Sequence, residues 1–368
     1  MRKLFVVAVI LAFASSPAFA LGIGARAMGM GGAHTALARD ITAAYWNPAG
    51  LIHANLLVGD GLVSAGYDGN IDYNKLFESL GNIEEFVMDN WEDDIDFVSD
   101  ASGIAGGSAR GIGISYIPAA AAIAVKPPAP TGSTPPVLFN GAYKNAIAVT
   151  FGGKMDALPF PMPLVSPISI GANLKYLNGE YWGLTHAGGG ITVPVELSHA
   201  TGNGVGVDLG AQIDVLPNVT VGLALRDVIA DFQWTGSVDT YDGISLDGEL
   251  GNLTGSEDFE MSERVPTHVV LGGAVTLPMV AVLAADIDHY TVEDDGSKTN
   301  VHLGVESGFP LGIFVPRVGY YTEDGGDSSK TTAGLSVGLG PAHLDSAFGW
   351  DSSDPQDKFW MFAASFAL

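Results

Sequence analysis

The chain of 368 residues contains no cysteine. That removes disulfides, thiolate metal ligands and thiol nucleophiles at once, so a core or closed hydrogen bonding must hold the fold together. Basic residues are scarce. Sixteen Lys and Arg stand against 41 Asp and Glu, a net charge of −25, which argues against the phosphate backbone of nucleic acid as a partner. No H-E-x-x-H and no P-loop occurs, and no Ser/His/Asp set stands out, so neither an enzyme nor a cofactor is expected. Beyond the first twenty residues no apolar run approaches the length of a membrane-spanning helix, yet the mean hydropathy is positive. A chain that is apolar without spanning helices, with 49 glycines, points to strands that alternate apolar and polar residues around a barrel.

The first glycine-rich stretch tests a different idea. Gly22-Ile23-Gly24-Ala25-Arg26-Ala27 fits the loose dinucleotide fingerprint G-x-G-x-x-A. That fingerprint needs a strand before it and a helix after it. What precedes it is Met1-Arg2-Lys3, a short apolar run and the close Ser16-Pro17-Ala18-Phe19-Ala20, the pattern of a secretory signal peptide. Residues 1–20 are therefore read as the signal and the phosphate-loop reading is set aside. No cysteine at the cleavage site suggests a lipid anchor.

Period-two alternation recurs along the rest of the chain. Val205, Val207, Leu209, Ala211, Ile213 and Val215 share one parity, and Gly206, Asp208, Gly210, Gln212 and Asp214 the other, which places them on opposite faces of a strand. Stretches near 166–179, 280–292 and 298–308 read the same way. The connections sort into two kinds. Short turns carry Pro217, Pro278, Pro310 and Pro341, and long acidic loops lie at 237–263, 292–298, 322–330 and 351–357. A β-sandwich has no reason to sort its loops so; an outer-membrane barrel does. The expectation is an all-β fold, a transmembrane antiparallel β-barrel of about fourteen strands over 51–368. The strands are placed near 55–67, 108–117, 119–127, 143–155, 166–179, 203–215, 219–234, 264–277, 280–292, 298–308, 312–322, 330–339, 341–350 and 358–368. Splitting the second and third at Pro118 keeps the number even. Arg226-Asp227-Val228 breaks the alternation and predicts a bulge.

The stretch from Gly24 to Leu51 resembles the N-terminal segment of the FadL/TodX family of outer-membrane transporters for hydrophobic compounds, and equally their PorV-like and conjugal TraF-like relatives. The matching residues are Gly29, Gly31 and Gly32 in the small-residue run, Asp40, and Asn47-Pro48-Ala49. The resemblance implies that residues 21–50 form a hatch folded inside the barrel, in the cell outer membrane. Glycine and alanine suit a chain that must turn tightly in a confined space.

Residues 68–107 read as an acidic extracellular connection that is partly an amphipathic helix. In FadL-like proteins such a loop forms part of a hydrophobic groove, which makes Phe77, Leu80, Phe86, Val87 and Trp91 the candidate first contacts of a hydrophobic ligand. The equal alternative is a helix that merely caps the mouth. The resemblance implies groove capture, passage into the lumen and hatch movement, with exit near Pro127, Pro128 and Pro130, where prolines weaken strand pairing. The alternative is a PorV/TraF-like barrel that serves a secretion or conjugation apparatus as a partner. Further partners implied are outer-membrane lipid and lipopolysaccharide, bridged to the acidic loops by divalent cations, and the barrel assembly machinery. Inward polar residues, Lys175, Asp208, Asp214, Arg226, Asp286, Asp288, His302, Glu306, Arg317, His343 and Asp345, are expected to neutralise one another by pairing. A metal site or proton relay at Asp286, Asp288, His302 and Glu306 is the lesser expectation.

Overall fold

A computed structural model describes residues 22–367 apart from 55–59, 70–95, 126–136, 156–166, 187–192, 244–249, 293–295, 309–312 and 354–356. The strands in chain order are β1 (Asp60–Gly69), β2 (Asp96–Ala109), β3 (Ile112–Val125), β4 (Val137–Met155), β5 (Ile168–His186), β6 (Val195–Leu216), β7 (Val219–Tyr241), β8 (Leu253–Arg264), β9 (His268–Leu277), β10 (Ala281–Val292), β11 (Gly296–Ser307), β12 (Phe314–Glu323), β13 (Ser328–Leu339), β14 (Ala342–Asp351) and β15 (Lys358–Ala367). Sequence neighbours other than β8 and β9 pair antiparallel, and β1 pairs β15, which returns the ladder to its start. The long strand β7 pairs β9 along its first part, Val219 to Arg226, and β8 along its last, Asp231 to Tyr241. So β8 and β9 occupy one place in the ring, and fifteen strands make fourteen staves. Pro266 lies at the break between them. It has no N–H to give to a ladder, and Val265 N instead donates to Ala230 O at 3.0 Å.

The faces are inverted relative to a soluble protein. Val205, Leu209, Leu174, Tyr176, Ile287, Leu303 and Phe362 point outward and are exposed, while Asp208, Asn173, Gln212, Asp286 and Arg317 are buried on the other parity. The outer apolar belt is bounded. On β6 it stops at Val205, above which Asn203 and Thr201 are exposed; on β7 it stops at Ile229, above which Asp231, Gln233 and Thr235 are exposed. Strands β4 to β7 run 19, 19, 22 and 23 residues, against about 9–11 needed to span a bilayer. Their upper halves therefore stand beyond the belt as a tall wall, completed by β8. Its inner face carries Tyr181, Phe232 and Trp234, all buried. Trp234 Nε1 donates to Glu263, which Lys144 also meets at 2.6 Å. Gly202 lies against both aromatic rings.

Three sequence expectations need correction. Pro118 does not divide two strands: it sits inside β3 opposite Asn145, and the turn lies earlier, at Arg110-Gly111, where both residues have positive φ. The missing strand is β2, most of which falls within the 68–107 stretch read as a loop. The 237–263 loop is mostly strand, because β7 extends to Tyr241 and β8 begins at Leu253. The bulge at Arg226-Asp227-Val228 is present. The β6–β7 register shifts between Val207 and Leu209, and Asp227 has φ 55.

Candidate functional site: the N-terminal segment and its bed

Residues 22–54 form two short helices, α1 (Ala25–Gly29) and α2 (Ala43–Trp46), and a 3-10 turn, Pro48–His53. The first is entered through Gly24, at φ 89. Apolar packing alone would make this a small core, with Ile23, Met28, Ile41, Trp46 and Leu51 buried. What fixes its place is the wall. Ser102 of β2 donates to Gly22 O, Asn173 of β5 to Ala44 O, Gln212 of β6 to Thr35 O, and Thr332 of β13 to Gly29 O. Donors on strands so far apart around the ring can converge on one segment only from the inside.

The wall makes room for it with glycine. A methyl group on Gly171 would lie 2.2 Å from the Pro48 carbonyl carbon, on Gly210 2.0 Å from Asn47 Oδ1, and on Gly222 2.6 Å from Thr35 O. The same holds at Gly304 against Met30 O (2.4 Å) and Gly319 against Gly31 N (2.1 Å). These residues face one another across the ladder: Gly171 pairs Gly210, Gly222 pairs Gly272, and Gly304 pairs Gly319. A belt of side-chain-free wall thus accepts the segment's backbone at contact distance.

Polar groups lock it. Asp286 Oδ2 accepts from His34 N at 2.9 Å and Thr35 N at 2.8 Å. Arg26 grips Glu306 with two hydrogen bonds of 2.9 Å, and Arg317 holds Glu306 at 2.6 Å and Asp345 at 3.0 Å. His302 Nδ1 meets Gly31 O at 2.8 Å. Burial, with the Arg26 guanidinium adding to it, pulls the His34 imidazole down from its ordinary value to about 4.

The predicted segment residues come together in this bed. Asn47 is fully buried and makes three hydrogen bonds: Nδ2 donates to Thr35 O (3.0 Å) and Ala211 O (3.1 Å), and Oδ1 accepts from Ala49 N (3.1 Å), capping the 3-10 turn that Pro48 opens. Gly29 meets Gly334 Cα. Gly31 and Gly32 have φ 64 and 76 and lie against β12 and His302. Asp40 accepts from Thr42 N at 2.8 Å, a turn contact rather than a wall contact. Phe77, Leu80, Phe86, Val87 and Trp91, with Pro127, Pro128 and Pro130, lie outside the described residues.

Above the segment the inward charges pair as expected. Lys175 bridges Asp208 and Asp227 at 2.7 and 2.5 Å, and Arg226 meets Asp288 at 2.7 Å while lying over the Tyr45 ring. Asp288 also meets His268, which sequence reasoning missed because that histidine sits just past the Pro266 break. The four residues considered for a metal or relay each go to partners of their own, and among the described residues no His/Asp/Glu group of metal-binding geometry occurs. His343 departs from expectation. It is exposed beside the Gly340-Pro341 turn. The stretch Gly334-Leu335-Ser336-Val337-Gly338 spells G-x-S-x-G, but it lies within β13 and Ser336 Oγ donates to Asp345. A nucleophile elbow requires a strand-to-helix turn.

No family model and no curated protein matches the sequence. Solved structures do match in fold. The toluene transporter TodX of Pseudomonas putida aligns over 94% of this chain and 96% of its own, at 12% identity and a TM-score of 0.59. The toluene transporter TbuX of Ralstonia pickettii (94% and 97%, 12% identity, TM-score 0.57) and a Pseudomonas aeruginosa FadL homologue (94% and 98%, 11% identity, TM-score 0.58) align similarly. The fold is the FadL/TodX fold.

Proposed function

We propose that this protein is an outer-membrane transporter that passes hydrophobic small molecules inward, with residues 22–54 as its hatch. The observation that carries the reading is a largely buried segment seated on glycine and held by polar contacts, within a ring whose outer surface is apolar. An apolar belt of exposed Val, Leu, Ile and aromatic side chains requires lipid around it. Lipid on the outside and a polar lumen within leave the segment as the barrier between the two ends of the barrel. The ligand class follows from the fold neighbours, two of which are toluene transporters. Capture is assigned to Phe77, Leu80, Phe86, Val87 and Trp91. A sideways exit finds support in the wall: the β2–β3 register skips Gly103 and Ile104, opposite Ile117 and Pro118, where proline leaves the ladder short of a donor.

A second reading has its own support. The lumenal belt of Lys175, Asp208, Asp227, Arg226 and Asp288 is charged and internally paired, which suits a sealed barrel serving a secretion or conjugation apparatus. One experiment separates the two. The protein is purified from outer membranes in mild detergent, and its bound small molecules are identified by native mass spectrometry and solvent extraction. Transport predicts a stoichiometric hydrophobic molecule whose occupancy falls several-fold in Asn47→Ala, which loses three buried hydrogen bonds worth about 2–4 kcal/mol together. An empty barrel bound to another polypeptide overturns transport in favour of the partner role.

A further inference from the structure

We infer that the outer face of the tall wall docks the oligosaccharide headgroup of a glycolipid in the surrounding leaflet. On this face the apolar belt ends in one row across the sheet, Ile147, Tyr176 and Val205, all exposed. The row directly above it is Asn145, Asn178, Asn203 and Gln233, paired side by side on β4 to β7. A chain with 41 acidic residues places none of them here, where a carboxylate would repel headgroup phosphate. Side-chain amides donate and accept at once, as sugar hydroxyls do. Higher up, Glu180 accepts from Tyr143 Oη at 2.8 Å and meets His199 Nε2 at 2.7 Å. Trp182 stacks on His199 with ring centroids 5.9 Å apart and lies 5.7 Å from the Tyr143 ring. The pinned carboxylate keeps lone pairs for further donors, and the half-buried indole adds apolar surface. A pyranose has hydroxyls at its rim and C–H bonds on its faces, so it suits amide, carboxylate and indole together.

Height decides which lipid. Trp182 stands six residues (182 − 176) beyond Tyr176, the last belt residue of β5, which is about 20 Å along the strand. A strand tilt of about 35–45° makes that roughly 15 Å above the belt. The headgroup layer of a phospholipid is about 5–8 Å deep. That layer covers the amide row, two residues (178 − 176) up, and stops short of Trp182. An aromatic anchor for the membrane interface would also lie within that layer. Only a lipid with a longer headgroup meets both rows, and the surface it meets is continuous with the lipid-facing belt. The inference rests on lipid surrounding that belt, and not on what crosses the barrel.

The test places the full-length protein in phosphatidylcholine nanodiscs doped with lipopolysaccharide that carries its core oligosaccharide, or with lipid A, which lacks it. Insertion into plain phosphatidylcholine discs checks the membrane reading separately. Retained glycolipid is counted by native mass spectrometry, and heat-modifiable migration on gels checks that each variant keeps its barrel. The parent should retain the core-bearing lipid about tenfold better than lipid A, as loss of one or two hydrogen bonds would give. Trp182→Ala/His199→Ala should bring the core-bearing lipid down to the lipid A level, and Asn178→Ala/Asn203→Ala should lower both lipids several-fold. Equal retention of the two lipids by the parent would overturn the inference. So would unchanged retention in Trp182→Ala/His199→Ala with the barrel intact. Soluble core oligosaccharide that binds plain discs as tightly as the lipid-borne form would overturn the lipid assignment and make a free glycan the guest.

Discussion

The Asp286 carboxylate is the most economical place to loosen the N-terminal segment without touching its apolar packing. It receives two backbone N–H groups, from His34 and Thr35, both buried. Hydrogen bonds to a charged group are worth about 1.5–3 kcal/mol each, and here removal strands the donors as well. Asp286→Ala should therefore weaken seating by about 3 kcal/mol or more, raising the unseated fraction at least a hundredfold. Asp286→Asn, which keeps an acceptor oxygen but not the charge, should fall between, at about tenfold. The absence of native cysteine makes the assay clean. A single cysteine at Ala36, buried beside Gly222, is reacted with a water-soluble maleimide, and the labelling rate reports the unseated fraction when seating is fast. The barrel itself is checked by heat-modifiable migration on gels. Labelling of the Asp286→Ala protein within twofold of the parent, with the barrel intact, would refute the claim that this carboxylate holds the segment.

Two further outcomes use the same reporter. Gly319→Val places side-chain carbon where Gly31 N now lies 2.1 Å from a built Cβ; backbone cannot yield as a flexible side chain can, so labelling should rise by tenfold or more, whereas Gly273→Val, at a site with open space around it, should leave it unchanged. The His34 imidazole stays neutral in the seated state down to about 4, while unseated it protonates below its ordinary 6.5. The unseated state thus binds more protons between those values, and seating weakens as pH falls through that window, by about thirtyfold at pH 5. After correction with a freely exposed reference thiol, His34→Gln should reduce this pH dependence; a parent protein whose corrected rate is flat from pH 7.5 to 5 would rule the histidine out.

Legibility from sequence divides along physical lines. The lower barrel was readable because period-two alternation is imposed by lipid outside and charge inside; Val205 to Val215 and Val301 to Val305 could hardly be read otherwise. The upper wall was not. Above Val205 both faces of β6 and β7 meet water or one another, so the apolar-out signal stops and Ser237 to Tyr241 and all of β8 look like acidic loop. The same blindness hid β2, whose stretch Asp96 to Ser108 is small and polar. The even strand number nonetheless came out right, because a strand wrongly gained at Pro118 replaced the one wrongly lost at β2. Proline was overread there: in β3 its missing N–H costs the β2–β3 ladder only two pairings, while the β3–β4 ladder runs on past it.

The N-terminal segment stood out from its own residues, but its bed did not. Glycines inside a strand ordinarily weaken it, and the alternating pattern alone gives Gly171, Gly210, Gly222, Gly304 and Gly319 no role. Only their pairing across the ladder shows the purpose. Each sits on the inward parity at the height where the segment's backbone passes, so the entropic cost of wall glycine is spent on close approach. That assigns the two glycine populations a common cause. Glycine in the segment lets the chain turn at φ 64 and 76, and glycine in the wall removes the side chains it would otherwise strike. A seat made this way combines close backbone contact, a few polar locks and an apolar cluster that Ile23, Met28 and Ile41 share with Ile104, Ile117 and Met361 of the wall. Withdrawing the segment therefore requires breaking named bonds at Asp286, Glu306 and Asn47 and separating that shared apolar cluster.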